Sequence, residues 1–157
     1  MKKVVTLIIS LSLLGGIVVM DSCKKDKVAG CMDVDSKNYN ALAEKDDGSC
    51  SFEGEVVLWY NQAASTGLIA DGATSLTYYV NGQVVGSSAT SVYWTGTPTC
   101  GQNGSITVTK DLGNVKTQAY ALSVKDQTGF EYWNATLNFN ANTCITWQLS
   151  WSKKKKK

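Results

Sequence analysis

Five cysteines, at positions 23, 31, 50, 100 and 144, are the side chains of this sequence best equipped for chemistry. A dithiol redox centre would need a Cys-x-x-Cys pair, and none occurs. All 15 basic residues are lysine; histidine, the commonest general base, and arginine, the usual clamp for carboxylate or phosphate, are both absent. The sequence also lacks a Gly-x-Ser-x-Gly elbow, a phosphate-cradling glycine loop and a zinc-ligand spacing. Carboxylates remain. Between residues 52 and 152 stand Glu53, Glu55, Asp71, Asp111, Asp126 and Glu131, and a glycosidase needs only two acids, but nothing in the sequence selects a pair. A denser group, Asp33, Asp35, Asp46 and Asp47, lies in CMDVDSKNYNALAEKDDGSC, residues 31 to 50. Calcium takes about six to eight oxygen ligands, so these four are the candidate metal ligands. Asp33 to Asn38 lacks the glycine and closing glutamate of an EF-hand loop; Asp and Asn equally serve to close turns on backbone amides. No catalytic residue and no organic cofactor is expected.

The compartment decides what the cysteines do. Lys2 and Lys3 precede an apolar run of 17 residues, Val4 to Met20, the form of a secretory signal peptide. That length barely spans a bilayer, so a retained anchor is the alternative to cleavage. Met20-Asp21-Ser22-Cys23 resembles the lipobox of bacterial lipoproteins, with Asp21 where a small residue is usual. The resemblance implies that Cys23 carries a diacylglyceryl group and becomes the new N-terminus. A rival, Val28-Ala29-Gly30-Cys31, is separated from the apolar run by Lys24, Lys25, Asp26 and Lys27, charges that cannot sit at the edge of hydrocarbon. Lipidation of Cys23 also explains an odd cysteine in an exported chain. The other four then pair, and local pairing, Cys31 with Cys50 and Cys100 with Cys144, keeps each bridge within one compositional segment.

The formal charge of +2 is misleading, because Lys153 to Lys157 supply five positives at the end of the chain. From Phe52 to Ser152 three lysines face six acids, a net of −3. A mildly acidic body excludes nucleic acid as an expected partner. The lysine run reads as a solvated tail, with attachment to anionic lipid as the alternative.

Beyond Gly54 the sequence falls into short alternating segments rich in Val, Thr, Tyr and Trp, separated by turn residues. They are 55–60, 75–80, a return strand from Gln83, then 91–94, 105–110, 116–125, 130–139 and 144–151. Asn81-Gly82 is a type I′ hairpin signal. Only Asn40 to Lys45 reads as helical. Seven or eight strands predict a mainly β fold, an antiparallel β-sandwich of about seven strands preceded by a small disulfide-stapled, loop-rich module. Alternation then assigns faces. Val56, Leu58, Tyr60, Leu76, Tyr78, Val80, Val92, Trp94, Trp133, Ala135, Leu137, Phe139, Ile145, Trp147, Leu149 and Trp151 point inward. Trp59, Tyr79, Tyr93 and Tyr132 are thrown outward, a candidate binding face for a sugar or a protein partner.

Gly30-Cys31, Asp33, Asn38-Tyr39-Asn40, Ala43, Asp46-Asp47-Gly48-Ser49-Cys50 and Phe52 resemble a cysteine-bounded repeat of exported Bacteroidota proteins. That resemblance implies surface lipoproteins and adhesins. Gly54 to Trp59, Thr97-Pro98-Thr99-Cys100-Gly101 and Ala141-Asn142-Thr143-Cys144 resemble small transthyretin-like or carboxypeptidase-regulatory-like β domains. The expected order is therefore a signal peptide (1–22), a charged linker (23–30), the stapled module (31–52), the sandwich (53–152) and the lysine tail (153–157). The expected function is a non-enzymatic lipoprotein of the bacterial outer membrane or cell surface. It is attached to membrane through its N-terminal lipid and binds or displays something, a glycan or an envelope protein. The alternatives are an acid-pair carbohydrate-active enzyme and a structural accessory of an envelope assembly.

Overall fold

A computed structural model describes residues 25–152. In chain order they form β1 (Ala29–Gly30), β2 (Lys45–Asp46), β3 (Phe52–Trp59), α1 (Gln62–Ala70), β4 (Ser75–Val80), β5 (Gln83–Ala89), β6 (Ile106–Gly113), β7 (Thr117–Asp126), β8 (Glu131–Asn140) and β9 (Cys144–Gln148). A three-stranded sheet in the order β6-β3-β9 packs on a four-stranded sheet in the order β5-β4-β7-β8. This is the expected mainly β sandwich of seven strands, with two further short strands, β1 and β2, in the cysteine module. Its pairings are antiparallel except two: β9 runs parallel to β3, and β1 parallel to β2. The β8–β9 connection crosses from one sheet to the other, so β9 returns alongside β3 and in its direction instead of closing a hairpin.

The register gives the sandwich two poles. Phe52 lies opposite Gly113 and Leu58 opposite Ile106. The lower pole therefore collects the cysteine module, the 113–117 turn and the 141–143 connection. The upper pole collects α1, the two ends of the 90–105 segment, the 127–130 turn and the end of β9, while Cys100 within that segment reaches down to Cys144. At about 3.3 Å per residue, β3 separates them by about 25 Å.

Alternation places the core as the sequence predicts on β3 and β4 and at Leu137 and Phe139 of β8, and β7 adds Leu122 and Val124. Val56, Leu58, Tyr60, Leu76, Tyr78, Val80, Leu122, Val124, Leu137, Phe139 and Leu149 are all buried in one cluster. Ile145, Trp147 and Trp151 pack against it half-buried. Val57, opposite in parity to the core residues of β3, is nevertheless fully buried. It lies between Thr107 and Thr146 in the ladders, on a face onto which the Cys100–Cys144 bridge and a Gly101 N–H bond to Thr107 Oγ1 draw the preceding loop. Asn81 and Gly82 have φ of 48° and 77°, the pair of left-handed residues that the I′ turn requires.

Three expectations are corrected. Ser91 to Trp94 is a loop, and Val92, expected inward, is 53% exposed. Asn40 to Lys45 is a turn at Ala41 and Leu42 leading into β2 at Lys45 rather than a helix, and the helix among the described residues is α1. α1 starts on Asn61, whose side-chain oxygen accepts from Ala64 N–H at 3.1 Å, the usual N-cap arrangement. It buries Ala64, Ser65 and Leu68, and its Gly67 lies under the indole of Trp151. Third, Tyr132 is the extra residue of a bulge: Val124 pairs with Trp133 and Lys125 with Glu131. The bulge turns Tyr132 inward, to 2% exposure.

Candidate binding surfaces

Cys23, the signal segment and the lysine tail lie outside the described residues. The other cysteines pair as the sequence predicts, Cys31 with Cys50 and Cys100 with Cys144. The first bridge closes a module that barely has a core: Cys31 is buried, whereas Val34 and Leu42 are 66% and 77% exposed. Turn chemistry does the rest. The Asn38 side chain donates to Ser49 O and accepts from Ser51 N–H. Asp46 Oδ1 accepts from Gly48 N–H, and Asp47 Oδ1 from Ser49 N–H. Hydrogen bonds from Ser49 hold the Asp47 carboxyl below its usual range.

The four candidate calcium ligands are not brought together. Asp33 and Asp35 both bind the ammonium of Lys116, at 2.7 and 2.9 Å, while Asp46 and Asp47 cap the turn into Cys50. Among the described residues no three metal-ligating side chains gather. Lys116, from the body, supplies the positive charge beside Asp33 and Asp35. A second pair runs the other way, from Lys37 of the module to Asp111 of β6 at 2.7 Å. Lys116 lowers the Asp33 pKa and Lys37 lowers that of Asp111, and both lysines are raised in return. Lys116 also lies 5.6 Å over the Phe52 ring. The module is thus docked on the lower pole by exchanged charges.

The four aromatic rings share no face. Trp59 and Tyr79 are half-buried on the outer sides of different sheets, and Lys125 Nζ lies 5.6 Å over the Tyr79 ring. Tyr93 is on the 90–105 loop, 38% exposed. Tyr132 is inside an aromatic cluster, 5.0 Å from Phe130, 5.8 Å from Trp133 and 6.0 Å from Trp151 between ring centroids. The expected common face is therefore withdrawn; the bulge and the loop break the alternation that produced it.

Two concavities take its place. At the lower pole a polar cleft of about 370 Å³ runs between module and sheet, lined by Asp35, Lys37, Glu53, Glu55, Asn142 and Thr143. Glu53 and Glu55 stand two residues apart on one side of β3, and Glu55 Oε1 accepts from Thr109 Oγ1 at 3.0 Å. At the upper pole a groove of about 240 Å³ is lined by Asn61, Gln62, Ala63, Tyr93, Trp94 and Thr95. Trp94 is fixed there, its backbone N–H donating to Tyr60 O at 3.0 Å. Trp94 also lines a small void with Tyr60, Tyr78 and Ile106, so it stands between that void and the groove. Sequence reasoning singled out Tyr93 alone; Asn61 and Gln62 carried a readable signal only as a helix start, and Trp94 was expected inward.

Compared with protein-family models, with curated proteins and with solved structures, this chain gives no match.

Proposed function

We propose that this protein is a non-enzymatic lipoprotein of the bacterial outer membrane or cell surface, tethered through Cys23, whose β-sandwich holds a binding surface away from the membrane. The observation that carries the reading is the division between poles. The chain enters through the module at the lower pole, whereas the groove with two aromatic residues opens at the upper pole, about 25 Å away along β3. The two disulfides support an oxidising compartment. Replacing Cys23 by serine should release the protein from the membrane fraction; release by Cys31→Ser with Cys23→Ser still bound overturns the tether. Proteolysis of intact cells, followed by mass spectrometry of the N-terminal peptide, reports lipidation and sidedness together.

One observation favours a second reading, an acid-pair glycosidase: Glu53 and Glu55 share the lower cleft. Hydrolysis of a polysaccharide by the wild type, abolished by Glu53→Gln or Glu55→Gln, would establish it over the first.

A further inference from the structure

From the upper groove we infer a carbohydrate site, in which a pyranose ring stacks on Tyr93 and Trp94 while Asn61, Gln62 and Thr95 bond its hydroxyls. The inference rests on the proposed binding role and adds its ligand class; it does not depend on the lipid tether.

A pyranose presents an apolar face of C–H groups and a rim of hydroxyls that both donate and accept. Its receptor needs a flat ring and, at the ring's edge, side chains with both capacities. The groove supplies this combination. Tyr93 and Trp94 are adjacent and both line it, with Asn61, Gln62 and Thr95 beside them. The Asn61 side-chain oxygen is committed to Ala64 N–H, which fixes the amide and leaves its Nδ2 hydrogens for a ligand. The exposed Gln62 offers an acceptor and two donors, Thr95 a hydroxyl. The first backbone N–H groups of α1, at Gln62 and Ala63, belong to the turn that has no intrahelical acceptor. Every one of these groups is uncharged, as are the hydroxyls of a neutral sugar.

The groove is also built in advance. Trp94 is held by its backbone bond to Tyr60 and is half-buried. Asn61 is the cap of a helix whose Ser65 donates to Thr90 O at 2.6 Å, tying α1 to the start of the loop that carries Tyr93 and Trp94. A site whose aromatic and amide groups are already ordered loses little conformational entropy on binding. At about 240 Å³ the groove lies below the range of roughly 300–1,000 Å³ typical of enclosed small-molecule pockets. Its open side suits a short stretch of a longer glycan passing over it.

The test uses the full chain, purified in detergent, in native electrophoresis through gels containing laminarin, xyloglucan, mannan or pullulan, followed by titration with the oligosaccharides of whichever polysaccharide retards it. Retardation by at least one is expected, with affinity falling roughly fivefold or more for Tyr93→Ala and for Gln62→Ala, the scale of a significant contact residue. Trp94→Ala also opens the interior void, so the outcome is decided by Tyr93→Ala and Gln62→Ala, both at exposed positions. Failure of all four polysaccharides and of a microarray of neutral and acidic glycans overturns the inference. So does retardation unchanged in both variants, or retardation lost in Glu53→Gln instead. Capture of an envelope protein in a Tyr93-dependent manner, without glycan binding, overturns the ligand class while leaving the proposed binding role standing.

Discussion

Replacing Gly67 by alanine should destabilise this protein, although the same change in an open helix would stabilise it. Alanine in a free helix is favoured over glycine by about 1 kcal/mol. At Gly67, however, a Cβ would lie 2.2 Å from Cε2, 2.5 Å from Cδ2 and 2.6 Å from Cζ2 of Trp151. Non-bonded carbons pack at roughly 3.5–4.0 Å, so the indole has to leave. Its backbone is held nearby, because Leu149 N–H donates to Trp59 O at 2.7 Å and Ser150 O accepts from Trp133 Nε1 at 2.9 Å. The ring would therefore swing into solvent, losing about half of the roughly 200 Å² that a tryptophan buries. About 100 Å² at about 25 cal/mol/Å² is about 2.5 kcal/mol. Set against the propensity gain, the net cost is about 1.5 kcal/mol. Urea unfolding of Gly67→Ala, Trp151→Ala and the double variant measures this directly. With the indole gone the three atoms nearest to that methyl group are removed, so Gly67→Ala in the Trp151→Ala background should stabilise by up to about 1 kcal/mol. The cycle should then show a coupling of about 2.5 kcal/mol. A stabilised single variant with no coupling to Trp151 would refute the packing argument.

The two disulfides should differ in worth: sequence separations of 44 and 19 correspond to about 4 and about 3 kcal/mol of denatured-state entropy. Denaturant unfolding of the paired Cys→Ser variants checks the difference, and hydrogen exchange should show the 31–50 module opening first on reduction. Tyr132→Ala, which empties a buried position, should cost about 3–5 kcal/mol, whereas Tyr79→Ala on an outer face should cost less than about 1 kcal/mol; equal losses would contradict the bulge. The docked module should loosen in acid and in strong alkali. Asp33 and Asp111 have pKa values lowered from the ordinary 3.8, so their contribution is complete above 3.8 and is lost as pH falls through the lowered values. Lys37 and Lys116 are raised from 10.5, so theirs is complete below 10.5 and is lost as pH rises through the raised values. Relative to their intrinsic exchange rates, module amides should be best protected between those limits and less protected in 1 M salt, where the Debye length is only about 3 Å; protection indifferent to both would remove the charge latch.

Strand content, hairpin and disulfide pairing were legible because each rests on a local signal. Alternation survives folding over β4 and, apart from the additional burial of Val57, over β3, and Asn81-Gly82 can adopt the I′ turn with little help from its surroundings. Local cysteine pairing follows from segment composition. What escaped was set by distant contacts. Gln62 to Ala70 has small and polar residues with only Ala64 and Leu68 to mark a buried stripe, and it is tertiary packing against Thr90 and Trp151 that makes it a helix. The β8 bulge is invisible in the sequence of β8 itself, since it depends on register with β7. The sheet crossing that sends β9 beside β3 likewise depends on which edge is free.

The groove shows the same limit at the level of function. Ser91-Val-Tyr-Trp94 has the composition of a strand, but the ladder that it would join ends before it. β5 finishes at Ala89, and Thr90 is consumed by three bonds: its N–H to Thr74 O, its Oγ1 to Ala73 O at 2.8 Å, and its carbonyl taken by Ser65 Oγ. With Thr90 pinned between α1 and the start of β4, the next residues cannot stay in the plane of the sheet. They leave it through a turn in which Val92 N–H donates to Ala89 O, and the Trp94 N–H on Tyr60 O then ties the loop to the end of β3. Residues chosen for a strand are thereby brought beside Asn61 and Gln62, some thirty positions earlier in the chain. A pattern-based reading searches for aromatic side chains thrown out by alternation. Here the pair that lines the groove, Tyr93 and Trp94, arises where alternation stops, and what stops it is a set of hydrogen bonds to Thr90.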